Sequence, residues 1–386
     1  MNVLFVLYHD FTANSAYHVH SLAKELTDLG CSCAVASPRN KESAATIASD
    51  LPYAVFDFED LRKHWTHFPD GRGPDIVHAW TPREVVRSFI DEIREARAFR
   101  LVVHLEDNER HITEKSLSQP WQRLALLPLD DLDQLIPAHL SHPIRAEQML
   151  ARADGVSVIL DRLRELAPDG VPTVDFPASA DEDLFFPRVR DTFKRQQLGI
   201  GDDEIALAYT GNVHASNAAE VRSVYLAVAM LNREGHPVKL IRTGRDFVDF
   251  LGSHDSWARA NSIELGFVDR EEMPRVLAAA DLCVQPGAPG PFNDFRFPSK
   301  VPEFLAVGRP VILPATNIGL RMRHRENAWV LPRVDACAIF DAVVELKNDR
   351  ALLERIGVAG SHFFREQLRW RIAGGRVLEF YRSIAG

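Results

Sequence analysis

The stretch of the 386-residue chain richest in potential chemistry runs Asn293-Asp-Phe-Arg-Phe-Pro-Ser-Lys-Val-Pro-Glu303 and continues Phe-Leu-Ala-Val-Gly-Arg-Pro-Val-Ile-Leu313. Arg296 and Lys300 stand just ahead of Glu303 in a segment that reads as a helix and then a strand. Cations at a helix start oppose phosphate charge, and a carboxylate about one turn further on can accept hydrogen bonds from ribose hydroxyls. The combination suits a nucleoside diphosphate. On residue chemistry alone, a surface ion pair between Lys300 and Glu303 is the plainer alternative.

A second group lies in Val103-His104-Leu-Glu106-Asp107-Asn108, at the end of a predicted strand. Glu106 and Asp107, beside His104, could bond sugar hydroxyls or act as a base, although Asp107 also reads as a capping acid ahead of a helix. His78-Ala-Trp80-Thr-Pro-Arg83-Glu84 ends another strand and is expected to line the same crevice. Trp80 there is either a stacking platform or a structural aromatic. Two apparent metal motifs dissolve on inspection. Asp130-Asp-Leu-Asp133 reads as a solvated turn. His18 and His20 point about 200° apart on a helix, so they cannot share an ion. No metal and no cofactor is expected.

These groups need elements to hold them. Val3 to Tyr8, a helical stretch from Ala16 to Leu29 and Cys31 to Ala36 form a βαβ opening. Asp75 to Ala79, Leu101 to Leu105 and Gly155 to Ile159 read as further strands. The rhythm restarts with strands at Ile205 to Thr210, Val238 to Thr243, Ile263 to Leu265, Leu282 to Gln285 and Arg309 to Leu313. Helices are expected over Ala218 to Glu234 and Met273 to Ala280. Continuous apolar strands between helices imply parallel sheets covered on both faces.

The fold class is therefore α/β, with two Rossmann-like doubly wound lobes. The boundary falls near residue 185, inside Phe176-Pro-Ala-Ser-Ala-Asp-Glu-Asp-Leu-Phe-Phe-Pro187, which reads as an exposed linker. The lobes are then 1–185 and 186–386. Residues 111–149 break the rhythm with apolar clusters and prolines and read as a helical insertion. A structural cap is its plain reading, and acceptor binding or contact with a membrane surface is the alternative. The aromatic and aliphatic spacing over 361–384 predicts a terminal helix crossing back to the first lobe.

Composition removes several classes. With 46% hydrophobic and 26% charged residues the chain has material for packed cores. A net charge of −9 argues against nucleic acid as a partner. Four cysteines, apart from the pair Cys31 and Cys33, are far from one another, so a disulfide framework is not expected. The apolar start has no Lys or Arg ahead of it and reads as a buried strand rather than a leader. No apolar run reaches the ~18 residues of a membrane span. The expected location is the cytoplasm, with peripheral contact at the inner face of a membrane as the alternative tied to the insertion.

The phrase Pro298-Ser-Lys-x-x-Glu-Phe-Leu-Ala-x-Gly-x-Pro-Val-Ile resembles the nucleotide-binding signature of GT-B glycosyltransferases, above all the retaining family 4. Thr210-Gly211-Asn212-Val213 resembles the turn that faces the donor phosphates, and Gly266-Phe-Val-Asp269 the passage from the base-contacting loop into a helix. The resemblance implies two lobes facing across a cleft, with the nucleotide sugar held by the second. It assigns the donor nucleotide to Gly211, Asn212, Arg242, Arg296, Lys300 and Glu303, and the donor sugar or cleft to Asn293, Asp294, His78 and Trp80. His104, Glu106 and Asp107 become the candidate catalytic set. The expected reaction is sugar transfer, with retention, to a glycan, lipid-linked or small-molecule acceptor. A sugar-nucleotide epimerase of the same fold and a non-catalytic nucleotide- or partner-binding protein are the alternatives.

The chain also departs from the pattern. Phe295 occupies the place of the family's earlier glutamate, with Asp294 one residue out of register. Ala13-Asn14 replaces the usual glycine pair of the first loop, and His214-Ala-Ser-Asn217 stands where an Arg and a Lys are common.

Overall fold

A computed structural model describes residues 1–63 and 68–385 and divides the chain into two compact units. The first comprises residues 1–178, 295–297 and 370–386, and the second 179–294 and 298–369.

In the first unit seven strands form one sheet: β1 (Asn2–Val6), β2 (Ser32–Ser37), β3 (Ala54–Asp57), β4 (Ile76–Trp80), β5 (Arg100–Leu105), β6 (Gly155–Val158) and β7 (Thr173–Asp175). Their order is β3-β2-β1-β4-β5-β6-β7, and every pairing is parallel. The central strands β1, β4 and β6 are buried along their whole length, as a parallel sheet with covered faces requires. The helix Asn14–Asp28 turns Ala16, Val19, Leu22, Ala23 and Leu26 inward, at the three- and four-residue spacing of one helical face.

In the second unit β8 (Ile205–Tyr209), β9 (Val238–Arg242), β10 (Ser262–Glu264), β11 (Leu282–Val284), β12 (Val311–Pro314) and β13 (Trp329–Leu331) form a parallel sheet of order β10-β9-β8-β11-β12-β13. The doubly wound class is met in both units. Each sheet has one point where its order reverses, between β1 and β4 and between β8 and β11. Loops diverge there at the carboxyl ends of the strands, which is where open α/β sheets place ligands.

Three sequence expectations are corrected. The units divide after Ala178 rather than near 185, and the intervening segment is no exposed linker: Phe176, Ala178, Ala180 and Phe185 are almost wholly buried. The prolines and acids around them hide alternating apolar residues that pack inward. The terminal element is two helices, Arg350–Gln367 in the second unit and Trp370–Ala385 in the first. Apolar spacing runs through the break at Leu368 and Arg369, so periodicity alone merges them. The run Asp130 to Asp133 lies in the helix Leu129–Leu135 rather than a turn, with Asp133 bonded to Arg145.

The terminal helix Trp370–Ala385 packs on the first unit as expected. Gly374 allows it to touch Asn14–Asp28, since a Cβ there would lie 2.8 Å from Glu25 Cβ. The ring of Phe380 fills the space above Gly155. The insertion folds as short helices, Glu109–Leu117, Trp121–Leu124, Leu129–Leu135 and Arg145–Ala151, around a small core of Leu124, Leu132, Ile136 and Leu140. No described helix is long and apolar enough to cross a membrane.

Candidate functional site

In the second unit the site begins where β8 ends. Gly211 has a φ of 112°, a conformation that glycine adopts without steric cost, and a Cβ there would lie 2.9 Å from Lys300 Nζ. Lys300, the first residue of the helix Lys300–Ala306, rests its ammonium 4.1 Å from the centre of the Tyr209 ring. The sequence-predicted Gly211 and Lys300 are therefore neighbours in space.

Gly244, after β9, closes on this turn. A Cβ there would lie 2.4 Å from Gly211 O, and Gly244 N donates to Gly266 O at 2.6 Å. Asn212 Oδ1 accepts from Arg245 N at 2.9 Å. The loops that follow β8, β9 and β10 are thus laced together at one edge of the sheet.

Glu303 sits one turn along from Lys300, with its side chain 19% exposed and Arg270 Nη1 3.6 Å from its Oε1. Burial pushes its pKa up to about 7, against the pull of Arg270 and Lys300. The carboxyl is thereby poised between its two forms near neutrality.

Three other expected ligand residues are committed to the fold. Arg242 is 1% exposed and donates through Nη2 to Asp246 at 3.0 Å, while its Nε and Nη1 are buried without a hydrogen-bond partner among the described residues. Asn293 donates to Glu220 Oε1 at 2.6 Å and to Ala288 O at 3.0 Å. Asp294 Oδ1 accepts from Thr316 Oγ1 at 2.5 Å. Both residues pin the loop after β11. Arg296 lies in the short segment that belongs to the first unit. The sequence shows these polar types at the right spacing but not that Arg242 is buried or that Asn293 and Asp294 bond within the fold.

In the first unit the polar groups gather at the ends of β1, β4 and β5. Glu106 is a buried hub: Ser15 Oγ donates to Oε2, Trp80 Nε1 donates to Oε2 at 3.3 Å, and His18 Nδ1 lies 2.7 Å from Oε1. These partners draw its pKa below the usual carboxylate value although burial works the other way. Tyr8 extends the line, its hydroxyl 2.9 Å from Ser15 Oγ, and Arg83 Cζ lies 4.0 Å from the Tyr8 ring centre. Arg83 also grips Glu109 through two nitrogens, at 2.9 and 3.0 Å.

Asp107, next to the hub, is pushed up to about 7, first by burial and then by the negative charges of Glu106 and Glu109, with Arg296 and Arg83 opposing. The cap belongs to its neighbour: Asn108 Oδ1 accepts from His111 N at 3.0 Å. A half-buried carboxyl with that pKa can give or take a proton at neutral pH.

His78 and Trp80 are corrected from ligand-facing to internal. Both have no exposed surface; His78 has both nitrogens engaged and Trp80 bonds Glu106. They lie on a central strand covered on both faces. His104 has no exposed surface either, with Trp80 at 4.0 Å and Phe176 at 4.9 Å from its ring, but unlike His78 it keeps one nitrogen, Nε2, without a hydrogen-bond partner among the described residues.

Sequence reasoning missed Ser15 and His18 as partners of Glu106, and Tyr8 behind Ser15. Ser15 and His18 are 91 and 88 positions from Glu106, which no local motif spans. It also missed Thr81, which has a φ of 73° at the end of β4 and a buried hydroxyl without a hydrogen-bond partner among the described residues. Backbone held in that region by a β-branched residue marks sites where geometry is over-determined.

Comparison with known proteins places this arrangement. Residues 204–349 match the family model described as Glycosyl transferases group 1. Among curated proteins, the chain is 28% identical over 160 residues to Chaperone SurA of Xanthomonas campestris pv. campestris, covering 37% of this chain and 33% of that protein. It is 26% identical over 149 residues to a phosphatidyl-myo-inositol mannosyltransferase of Mycobacterium leprae, 38% of each. The chain thus spans little more than a third of the curated relatives it matches.

The solved structure of Anabaena HepE in complex with UDP-glucose covers 99% of this chain and 100% of its own, with a TM-score of 0.71 and 15% identity. The chaperone and the mannosyltransferase share no activity, and the family model and the whole-chain fold both agree with the second. The chain therefore has the GT-B fold, and its residues 204–349 resemble the Glycosyl transferases group 1 family.

Proposed function

We propose that this protein is a glycosyltransferase that takes a sugar from a nucleotide-diphosphate donor held by its second unit. The observation that carries this reading is the convergence of Gly211, Lys300 and Glu303 at the carboxyl edge of the second sheet. An exposed turn backbone with an ammonium against it suits a diphosphate, and a carboxyl one helical turn away suits ribose hydroxyls. The match to the group 1 family model and the UDP-glucose found with HepE support a nucleotide sugar as the donor.

The polar group of the first unit, His104, Glu106 and Asp107, is assigned to the sugar and the acceptor. Ionised Glu106, fixed by Ser15, His18 and Trp80, supplies a standing negative charge, and Asp107 the titrating group. The acceptor is a glycan, a lipid-linked sugar or a small molecule, and retention is the expected outcome by family resemblance. The proposal invokes no metal and no cofactor. Its site of action is the cytoplasm, with contact at a membrane surface reserved for lipid-linked acceptors.

The test is to supply nucleotide sugars with and without acceptors from these classes and to measure nucleoside diphosphate release. Release that requires acceptor is the expected result. Isomerised sugar nucleotide without release would indicate an epimerase, and binding without turnover a non-catalytic protein.

A further inference from the structure

Near the end of the helix Trp370–Ala385, Tyr381 is wholly buried with its hydroxyl oxygen 2.6 Å from His78 Nδ1. His78 Nε2 lies 2.7 Å from Ser157 Oγ, and the same hydroxyl lies 2.9 Å from His104 Nδ1. Four side chains thus form one unbroken line from the terminal helix through β4 and β6 to β5. Its far end, His104 Nε2, is buried and has no hydrogen-bond partner among the described residues.

Each link holds one hydrogen. Burial drives the pKa of His78 down to about 3 and that of His104 well below the ordinary value, so both rings are neutral and carry a single N–H. Three arrangements give every contact one hydrogen, because Ser157 Oγ can also accept from both rings at once; that one puts hydrogen on His104 Nδ1 but leaves the serine hydrogen with no acceptor among the described residues. If His104 Nδ1 donated to Ser157 and the serine in turn to His78, His78 would donate to Tyr381. The phenol hydrogen would then have no acceptor, because Tyr381 makes no other hydrogen bond among the described residues. A phenol is also a stronger acid, and so a better donor, than a neutral imidazole N–H.

In the opposite direction every internal hydrogen is used. Tyr381 donates to His78 Nδ1, His78 Nε2–H donates to Ser157 Oγ, and Ser157 donates to His104 Nδ1. The hydrogen left over is on His104 Nε2.

We propose that Tyr381, His78 and Ser157 form a one-way hydrogen-bond chain that fixes His104 as its Nε2–H tautomer, making it a neutral hydrogen-bond donor to a ligand oxygen rather than a base. The three are positioning residues, and the stacked ring of Phe176 and the tilted ring of Trp80 pack against the imidazole that they orient. A catalytic histidine kept neutral polarises an oxygen without taking its proton. The role toward a sugar oxygen rests on the transferase reading; the tautomer does not.

Nitrogen-resolved NMR of the full chain, labelled at histidine and with no substrate present, reads the protonated nitrogen of each ring. His78→Gln and His104→Gln assign the two signals. In the unsubstituted chain both rings should carry hydrogen on Nε2 at neutral pH, and Tyr381→Phe should shift both together to a mixture of tautomers. Hydrogen on His104 Nδ1 in the unsubstituted chain would overturn the proposal, and that spectrum needs no variant to fold. So would a His104 signal unmoved by Tyr381→Phe in a folded variant. A chain with the Nε2–H tautomer but no transfer from any nucleotide sugar would uphold the hydrogen-bond chain and remove only its sugar-directed role.

Discussion

In the proposed site Lys300 faces the diphosphate and Glu303, a carboxyl with a pKa pushed up to about 7, faces the ribose. Hydrogen bonds from ribose hydroxyls favour the ionised carboxyl, so nucleotide binding should expel a proton from Glu303 around its pKa of about 7. Affinity should then rise as pH goes from 6 to 8, by up to about tenfold per unit on the acid side. Calorimetric titration in buffers of different ionisation heat would show the proton, and affinity independent of pH across that window would contradict the assignment. The same shift has a consequence for stability. Between pH 4.5 and about 7 the folded chain holds a proton on Glu303 that the unfolded chain has lost, so this group's contribution is full below pH 4.5 and falls as pH rises to 7.

Gly211 tests the phosphate turn at the same scale. A methyl group there meets Lys300 Nζ at 2.9 Å and strains a positive φ by roughly 1–2 kcal/mol. Gly211→Ala should weaken nucleotide binding by displacing the ammonium; binding equal to that of the parent would mean that the turn does not face the ligand. In the first unit, His104→Ala and Asp107→Ala should turn over roughly 100-fold more slowly, the worth of about 3 kcal/mol in a transition state. Their affinity for nucleoside diphosphate should be unchanged.

Among the elements, the insertion is the one whose stability can be read separately. Leu132 is wholly buried in a core of few residues, so Leu132→Ala should cost about 2–5 kcal/mol. The loss should appear as early protease cleavage within 111–149, and no change in cleavage would show that the helices pack by other contacts. Elements of this kind differ in how legible they are. β1, β4 and β6 are continuous apolar runs because both sheet faces are covered, and the sequence shows them directly. β3, β7 and β13 were missed; they are edge strands of 3 or 4 residues, mostly half-exposed, with no run long enough to stand out.

The site followed the same rule. Lys300, Glu303 and Gly211 sit in local phrases, whereas the partners of Glu106 and the local bonds of Arg242, Asn293 and Asp294 are set by folding. Burial decides which polar residues remain for a ligand, and spacing does not report it.

For the whole molecule, the central claim is a division of labour: the second unit holds the nucleotide, and the polar group of the first acts on what is transferred. The segment that matches the group 1 family model coincides with the sheet that carries Gly211, Lys300 and Glu303. Titrating a nucleoside diphosphate into the parent chain, Lys300→Ala, Glu303→Ala and His104→Ala tests that division most directly. The account predicts weaker binding in the Lys300 and Glu303 variants, with folded-state spectra retained, and parental affinity in the His104 variant. Undiminished affinity in both second-unit variants, or a loss confined to His104→Ala, would contradict it.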